Sequence, residues 1–264
     1  MTETVNGSAL REQFDRDGYL IVRGVIDPAL AAEASAHVDW LCKKHPELRP
    51  EQLGHTLVTE DPFWVRLISD DRLLDVAEAF IGPNIALFAS HYIAKPPQTG
   101  QAVLWHQDGA FWPLDPMKVV TLWLAADEVD RENGCMRVIP GSQRHQLEGI
   151  RDRKDVVNVL GAEIDVDPAS IDESQAVDIK LHPGDVEVHH PNIIHGSHAN
   201  TSDRWRRGLT IRYIPTSTRI VTEGQWPSAF LLRGDAVPGI NTYLPRPHYK
   251  EGEHMAFAGS ESWA

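Results

Sequence analysis

Beyond Gly82 the chain is broken every few residues by Pro, Gly or Asn, and the pieces between are short and either apolar or alternating. Such punctuation leaves no room for long helices, because Pro removes a backbone donor and Gly adds backbone freedom, whereas β-branched and alternating residues suit a half-buried strand. Strands are expected at 86–93, 102–108, 119–125, 135–139, 178–181, 185–189, 193–197 and 208–214. Eight short strands in that order predict a mainly β fold of the jelly-roll kind.

The part before Gly82 reads differently. Residues 8–17 form a short helix stopped by Gly18, and Tyr19-Leu20-Ile21-Val22 follows as a strand. Asp27-Pro28 supplies an N-cap and a first-turn proline for a second helix, whose stripe is Leu30, Ala34, Val38 and Leu41. A third helix runs from about Asp71 to Phe80 and ends at Gly82, a left-handed stop. With 42% apolar and 24% charged residues and no linker or repeat, a single domain over 1–264 is the economical organisation. Its parts would be a helical N-terminal portion to about 85, a barrel core over about 86–215 and a C-terminal extension over 216–264. Residues 145–175 are acidic and weakly patterned and read as an inserted loop, either covering the barrel mouth or simply solvated.

A formal net charge of -13 argues against nucleic acid or an anionic membrane as partner, since both require a cationic face. Arg204, Arg206 and Arg207 form one basic cluster, suited to a single small anion or to an ordinary surface. Cys42 and Cys135 are far apart and lack metal-ligand spacing, so reduced, buried thiols are expected. The first thirty residues lack the apolar core of a signal peptide and no run approaches a membrane span, which makes the cytoplasm the expected location.

His106-Gln107-Asp108 places an imidazole and a carboxylate two residues apart. With 13 His and 38 acidic residues, chance gives about two such triplets. Three occur, at His37, His45 and His106. Residues i and i+2 diverge on a helix and share a face on a strand, so only His106 and Asp108 can converge on one ion. A third ligand has to come from the stretch His189 to His198. There His195 shares a strand face with Ser197, His189 and His190 precede Pro191, and His198 belongs to the turn; any of the four could instead be a hydrogen-bonded core or surface residue. Two histidines and a carboxylate on one side of an ion make a facial triad suited to non-haem iron(II), with three positions open for a chelating 2-oxo acid and dioxygen. The far carboxylate of 2-oxoglutarate needs a cation, and Arg206, eleven residues after His195, is the choice by fork geometry and spacing.

At this point the chain resembles the phytanoyl-CoA dioxygenase family of iron(II)/2-oxoglutarate oxygenases, over roughly Arg11 to Pro215. The resemblance rests on Gly82-Pro83-Asn84-Ile85, Lys95-Pro96-Pro97, His106-Gln107-Asp108, Glu132-Asn133-Gly134-Cys135 with Pro140-Gly141-Ser142, and His195-Gly196-Ser197 followed by Arg206. It implies His106, Asp108 and His195 as metal ligands, Arg206 and Ser197 on the far carboxylate, and Gln107, Trp123 and His91 around the co-substrate, although His91 is an unusual residue type there. It also implies a double-stranded β-helix with flanking helices. Asp108 occupies the position that the family's halogenases leave to chloride, which points to oxygen chemistry.

The reaction so implied is oxidative decarboxylation of 2-oxoglutarate with O2, giving succinate, CO2 and an iron-centred oxidant that takes hydrogen from a substrate. Hydroxylation is the default outcome; desaturation, ring closure or epimerisation share the first step. Phe111 and Trp112 could wall a substrate pocket, Trp226 and Phe230 could act as lid residues or as core packing, and Arg137 could meet an anionic substrate group or pair with an acid. A small, mostly apolar metabolite from specialised biosynthesis is the expected substrate. The alternatives are a non-catalytic metal-binding jelly-roll sensor and a zinc- or manganese-dependent hydrolase or isomerase, neither of which needs Arg206 and Ser197 as an anchor.

Overall fold

The computed structural model describes residues 7–167 and 171–264. Four helices, α1 (Gly7–Asp17), α2 (Pro28–Lys44), α3 (Pro62–Ile68) and α4 (Asp71–Ile81), precede most of the strands. Those are β1 (Tyr19–Val22), β2 (Ile85–Tyr92), β3 (Val103–His106), β4 (Leu114–Asp115), β5 (Val120–Ala125), β6 (Met136–Val138) and β7 (Ile150–Asp152). They continue with β8 (Ala162–Ile164), β9 (Val177–Asp178), β10 (Val186–His189), β11 (His195–Ser197), β12 (Gly208–Pro215), β13 (Arg219–Ile220) and β14 (Phe230–Arg233). The larger sheet has the order β1-β10-β5-β12-β2-β14 and the smaller β3-β11-β6-β9. All their pairings are antiparallel. The two sheets form the expected jelly roll.

Alternation along the strands decides which residues face the helices and which face the smaller sheet. Leu122 and Leu124 of β5, Val186 and Val188 of β10, and Leu209, Ile211 and Tyr213 of β12 share one core with Leu30, Ala34, Val38 and Leu41 of α2 and Trp64 of α3. The opposite face of the same strands, with Trp123 and Ala125, meets Met136 and Val138 of β6 in a second core between the sheets. Each fully buried side chain of this size contributes about 1.5–3 kcal/mol relative to exposure.

Local signals fix the helix ends. Asp27 accepts a 3.0 Å hydrogen bond from the Leu30 amide at the start of α2, and Gly82 ends α4 at φ 89°. The sequence pattern misses α3, because six of its seven residues are buried and its apolar run carries no amphipathic period. Asp61 still caps it, accepting from the Trp64 amide at 2.9 Å, with Pro62 in the first turn. The same carboxylate reaches His37 Nε2 at 2.9 Å while Tyr92 Oη lies 3.0 Å from Nδ1, so His37 is a satisfied core histidine.

Two expectations change. The 145–175 segment, of which 168–170 lie outside the described residues, holds the β7–β8 hairpin, with Arg151 and Arg153 both on Glu163. The tail contributes β14 to the edge of the larger sheet, so Phe230 is a buried strand residue opposite Leu87 rather than part of a lid. Cys42 and Cys135 are both free, the first half-buried and the second buried. No helix among the described residues is long and apolar enough to cross a membrane.

Candidate metal centre

His106 and His195 face each other across the β3–β11 ladder, with ring centroids 4.0 Å apart. Asp108 follows where β3 gives way to a single 3-10 turn, Asp108–Phe111, which swings its carboxylate toward both rings. Its Oδ1 lies 3.5 Å from His106 Nε2 and 4.0 Å from His195 Nε2. All three side chains are buried, and their candidate ligand atoms lie within 4.8 Å of one another. Donors about 2.1 Å from one ion stand roughly 3 Å apart when adjacent, so only a small closure brings these onto a shared centre.

The ring nitrogens are already sorted. His106 Nδ1 lies 2.8 Å from the Leu104 carbonyl and His195 Nδ1 lies 3.0 Å from that of Ile193. A carbonyl only accepts, so both Nδ1 atoms carry a proton, and the lone pair of the neutral ring then falls on Nε2, the tautomer a metal requires. Burial and the neighbouring His106 hold His195 well below its ordinary pKa, hence neutral. Burial alone would raise Asp108, but Arg212, 3.6 Å away, and the surrounding histidines hold it well below the usual carboxylate range. Two imidazoles with Nε2 turned inward and one carboxylate therefore fit a divalent ion.

Behind Asp108 stands a pair to which the sequence pattern assigns no role, although both members lie in the strand expected at 185–189. On β10 His189 has its Nε2 3.6 Å from Asp108 Oδ2 and its Nδ1 2.7 Å from Glu187. Burial opposes the charge on His189, but Glu187 and Asp108 outweigh it and push the group up to about 9. Glu187 itself is pushed up by burial.

A cavity of about 70 Å³ joins this cluster to Arg206 and Ser197. Arg206 is 1% exposed. Its guanidinium donates 2.9 Å to the Ile93 carbonyl and lies 5.1 Å from the Trp123 ring, while Nε has no partner. Among the described residues no acid makes an ion pair with it. Lys95, quoted above only within a motif, is fully buried and donates to Ser197 Oγ at 2.7 Å, which leaves the serine proton free for an acceptor in the cavity. Arg204 pairs instead with Asp130, and Arg207 with Asp127 and Asp39, on the outside.

Trp123 lines the cavity where Gly208 allows it: a Cβ at 208 would sit 2.0 Å from the indole. Gln107 is buried but does not line the cavity; its amide holds the chain together, donating to the Asn192 carbonyl at 2.7 Å and accepting from the Glu148 amide at 2.9 Å. His91 points from β2 toward Arg212 and His55, with contacts of 2.8 and 3.3 Å. Trp112 stands over Arg212 and beside Phe88, and Phe111 is 38% exposed near His106. Trp226 stacks between His55 and Phe88. Arg137 does not face the cavity: Met136 does, and the next residue on a strand points the other way, where Arg137 meets Glu173, Asp178 and His198. Leu160, just before β8, closes part of the cavity wall.

A jelly roll carrying two inward imidazoles, a carboxylate and a remote buried guanidinium belongs structurally with the non-haem iron oxygenases. The solved structure of a non-heme monooxygenase, ThoJ in its apo form, superposes with TM-score 0.77 and 26% identity over 90% of this chain and 88% of its own. The epimerase SnoN, solved with Fe3+, alpha ketoglutarate and nogalamycin RO, shares the fold at TM-score 0.68 and 22% identity, over 94% of this chain and 98% of its own. The sequence profile of phytanoyl-CoA dioxygenase (PhyH) matches residues 14–208, and the chain belongs to that family. Phytanoyl-CoA dioxygenase 1 of Oryza sativa subsp. japonica is 29% identical over 178 residues, 67% of this chain; the match spans 62% of that relative's length.

Proposed function

We propose that the protein is an iron(II)- and 2-oxoglutarate-dependent dioxygenase that oxidises a C–H bond of a small metabolite, with hydroxylation the default outcome. The observation that carries this reading is Arg206: a buried guanidinium with no acid partner among the described residues, in the same cavity as the His106, Asp108 and His195 cluster. Burying a cation without a counter-charge is costly, and a dicarboxylate bridging metal and guanidinium relieves that cost. A sensor or a hydrolase on this barrel has no use for such an anchor. We further take residues 1–264 as one catalytic unit, a view supported by β14 pairing with β2.

In this reading His106, Asp108 and His195 hold the ion through Nε2, a carboxylate oxygen and Nε2. Iron(II) with 2-oxoglutarate and dioxygen supplies the oxidant that removes a hydrogen from substrate carbon, releasing succinate and CO2. The chain's own residues do the rest. Leu104 and Ile193 carbonyls keep the ligand tautomers, Glu187 and His189 orient Asp108, Arg206 and Ser197 seat the far carboxylate, and Trp123, Met136 and Leu160 exclude water from the cavity.

The test is anaerobic addition of iron(II) and 2-oxoglutarate, which should give a weak visible charge-transfer band, followed by succinate on admitting air. Asp108→Ala should lose both, and Arg206→Gln should need at least about tenfold more 2-oxoglutarate, the loss of one charge-assisted pair. Absence of the band and of succinate in the wild type overturns the reading.

A further inference from the structure

The cavity is lined by a second guanidinium, that of Arg212. Arg212 shares the inward face of β12 with Thr210, two residues before it, and Arg206, six residues before it and just ahead of the strand, continues the same alternation. It lines the cavity, and its side chain is 11% exposed. Its NH1 donates to His91 Nδ1 at 2.8 Å and to Thr210 Oγ1 at 3.0 Å, and its Nε is buried without a partner. Arginine has no acceptor, so His91 Nδ1 must accept, which leaves His91 Nε2–H to donate to His55 Nδ1 at 3.3 Å. Every partner Arg212 has on this side is therefore neutral.

Among the described residues the one acid that makes an ion pair with it is Asp108, at 3.6 Å. A metal ion drawn to Oδ1, the oxygen nearer His106 and His195, leaves Oδ2 to be shared by Arg212 and His189, and the ion offsets the charge of that carboxylate. Around the cavity a divalent ion and two guanidiniums then outnumber Asp108 and a dianionic co-substrate by one positive charge, while His189 is matched by Glu187. An unpaired charge away from water is strongly unfavourable, so the site is built for one more anion. The surroundings say what else that anion carries. The Trp112 ring lies 5.2 Å from the guanidinium, Phe88 meets Trp112 at 5.8 Å, and Trp226 stacks on Phe88 at 5.1 Å.

We propose that Arg212, with Thr210 beside it, seats a carboxylate-class group of the primary substrate, and that Trp112, backed by Phe88 and Trp226, flanks the substrate's apolar or aromatic body. The seat lies beside Asp108, so it holds the substrate next to the metal. This inference rests on the oxygenase reading above, from which it takes the metal and the co-substrate.

The protein loaded with cobalt(II), kept anaerobic to prevent turnover, is titrated calorimetrically with 2-oxoglutarate. It is then titrated, with and without 2-oxoglutarate, against benzoate, phenylacetate, 3-phenylpropionate and octanoate, each compared with its primary amide. At least one carboxylate should bind about tenfold or more tightly than its amide, and Arg212→Gln should erase that preference. Arg212→Lys should keep part of it, which separates lost recognition from lost folding. Affinity for 2-oxoglutarate should fall less than about fivefold in Arg212→Gln and far more in Arg206→Gln. The proposal is overturned if no carboxylate is preferred by the wild type, or if Arg212→Gln weakens 2-oxoglutarate as much as Arg206→Gln does. Wild-type protein that binds no 2-oxoglutarate at all would instead sink the oxygenase reading, while the carboxylate–amide comparison made without it still decides the role of Arg212.

Discussion

Gly208→Ala tests whether Trp123 is a wall of the co-substrate site. The backbone at 208 tolerates a side chain, but a Cβ there lies 2.0 Å from Cζ2 of Trp123, with Cη2 and Cε2 at 2.2 and 2.7 Å. Ordinary contact begins near 3.4 Å, so the indole must retreat by at least about 1.4 Å, and overpacking of this kind costs about 1–3 kcal/mol. Moving the ring also disturbs the guanidinium of Arg206, 5.1 Å from its centroid, a contact worth about 0.5–2 kcal/mol. If roughly 1.4 kcal/mol of this falls on the bound state, 2-oxoglutarate affinity drops about tenfold. Anaerobic calorimetry on the manganese(II) form reads that directly. Adding Trp123→Phe, which lacks the two closest atoms, Cζ2 and Cη2, should recover part of the loss, so the two changes should be non-additive. Affinity within about twofold of wild type in Gly208→Ala would refute the idea that Trp123 and Arg206 form one surface.

Other expectations follow from the same geometry. Asp61 is held below the ordinary carboxylate range: burial opposes this, but His37 and the Trp64 amide outweigh it. Its folded pKa is thus depressed, and its stabilisation is complete above the unfolded value near 4 and lost as pH falls through the folded one. Asp61→Asn should therefore cost about 1–3 kcal/mol at pH 7 and progressively less in acid, and a melting-temperature difference constant from pH 7 to pH 3 would contradict this. Saturating iron(II) or manganese(II) at about 100 times Kd should add about 2.7 kcal/mol and raise Tm by roughly 5–10 °C; a chelator should reverse the shift, and Asp108→Ala should show none. Arg137→Gln should leave 2-oxoglutarate affinity unchanged in the same calorimetry, since its partners Glu173 and Asp178 lie outside the cavity.

Much of the fold is legible in the sequence because strand alternation and cavity wall are the same pattern. In Trp205 to Tyr213, every second residue from Arg206 faces inward and Leu209, Ile211 and Tyr213 face the helices. The reading stopped at Arg206, yet the period that selected it also marks Thr210 and Arg212. His106 and Asp108 were separable from two competing triplets by strand context alone, whereas the choice of His195 needed the family resemblance. What the sequence hid has physical reasons. Helix α3 is buried nearly all round and so lacks a period, and β14 is four residues within a tail rich in Gly and Pro, paired only through a distant partner, β2. Phe230 and Arg137 illustrate the same limit, since an aromatic or a charge acquires its role from the face it lands on.

Strand β12 acts as a ruler. Arg206, just before the strand, and Gly208, Thr210 and Arg212 on it project to one side only while the chain between them keeps its count, and Leu209 and Ile211 between them are sealed against the helices. A single inserted or deleted residue there would turn one guanidinium into the apolar layer and a leucine or isoleucine into the cavity. The spacing of the two proposed anion seats, Arg206 and Arg212, is thus written in residue number, so on that proposal ligand length is altered more readily through Trp112, Trp226 and their neighbours than along this strand.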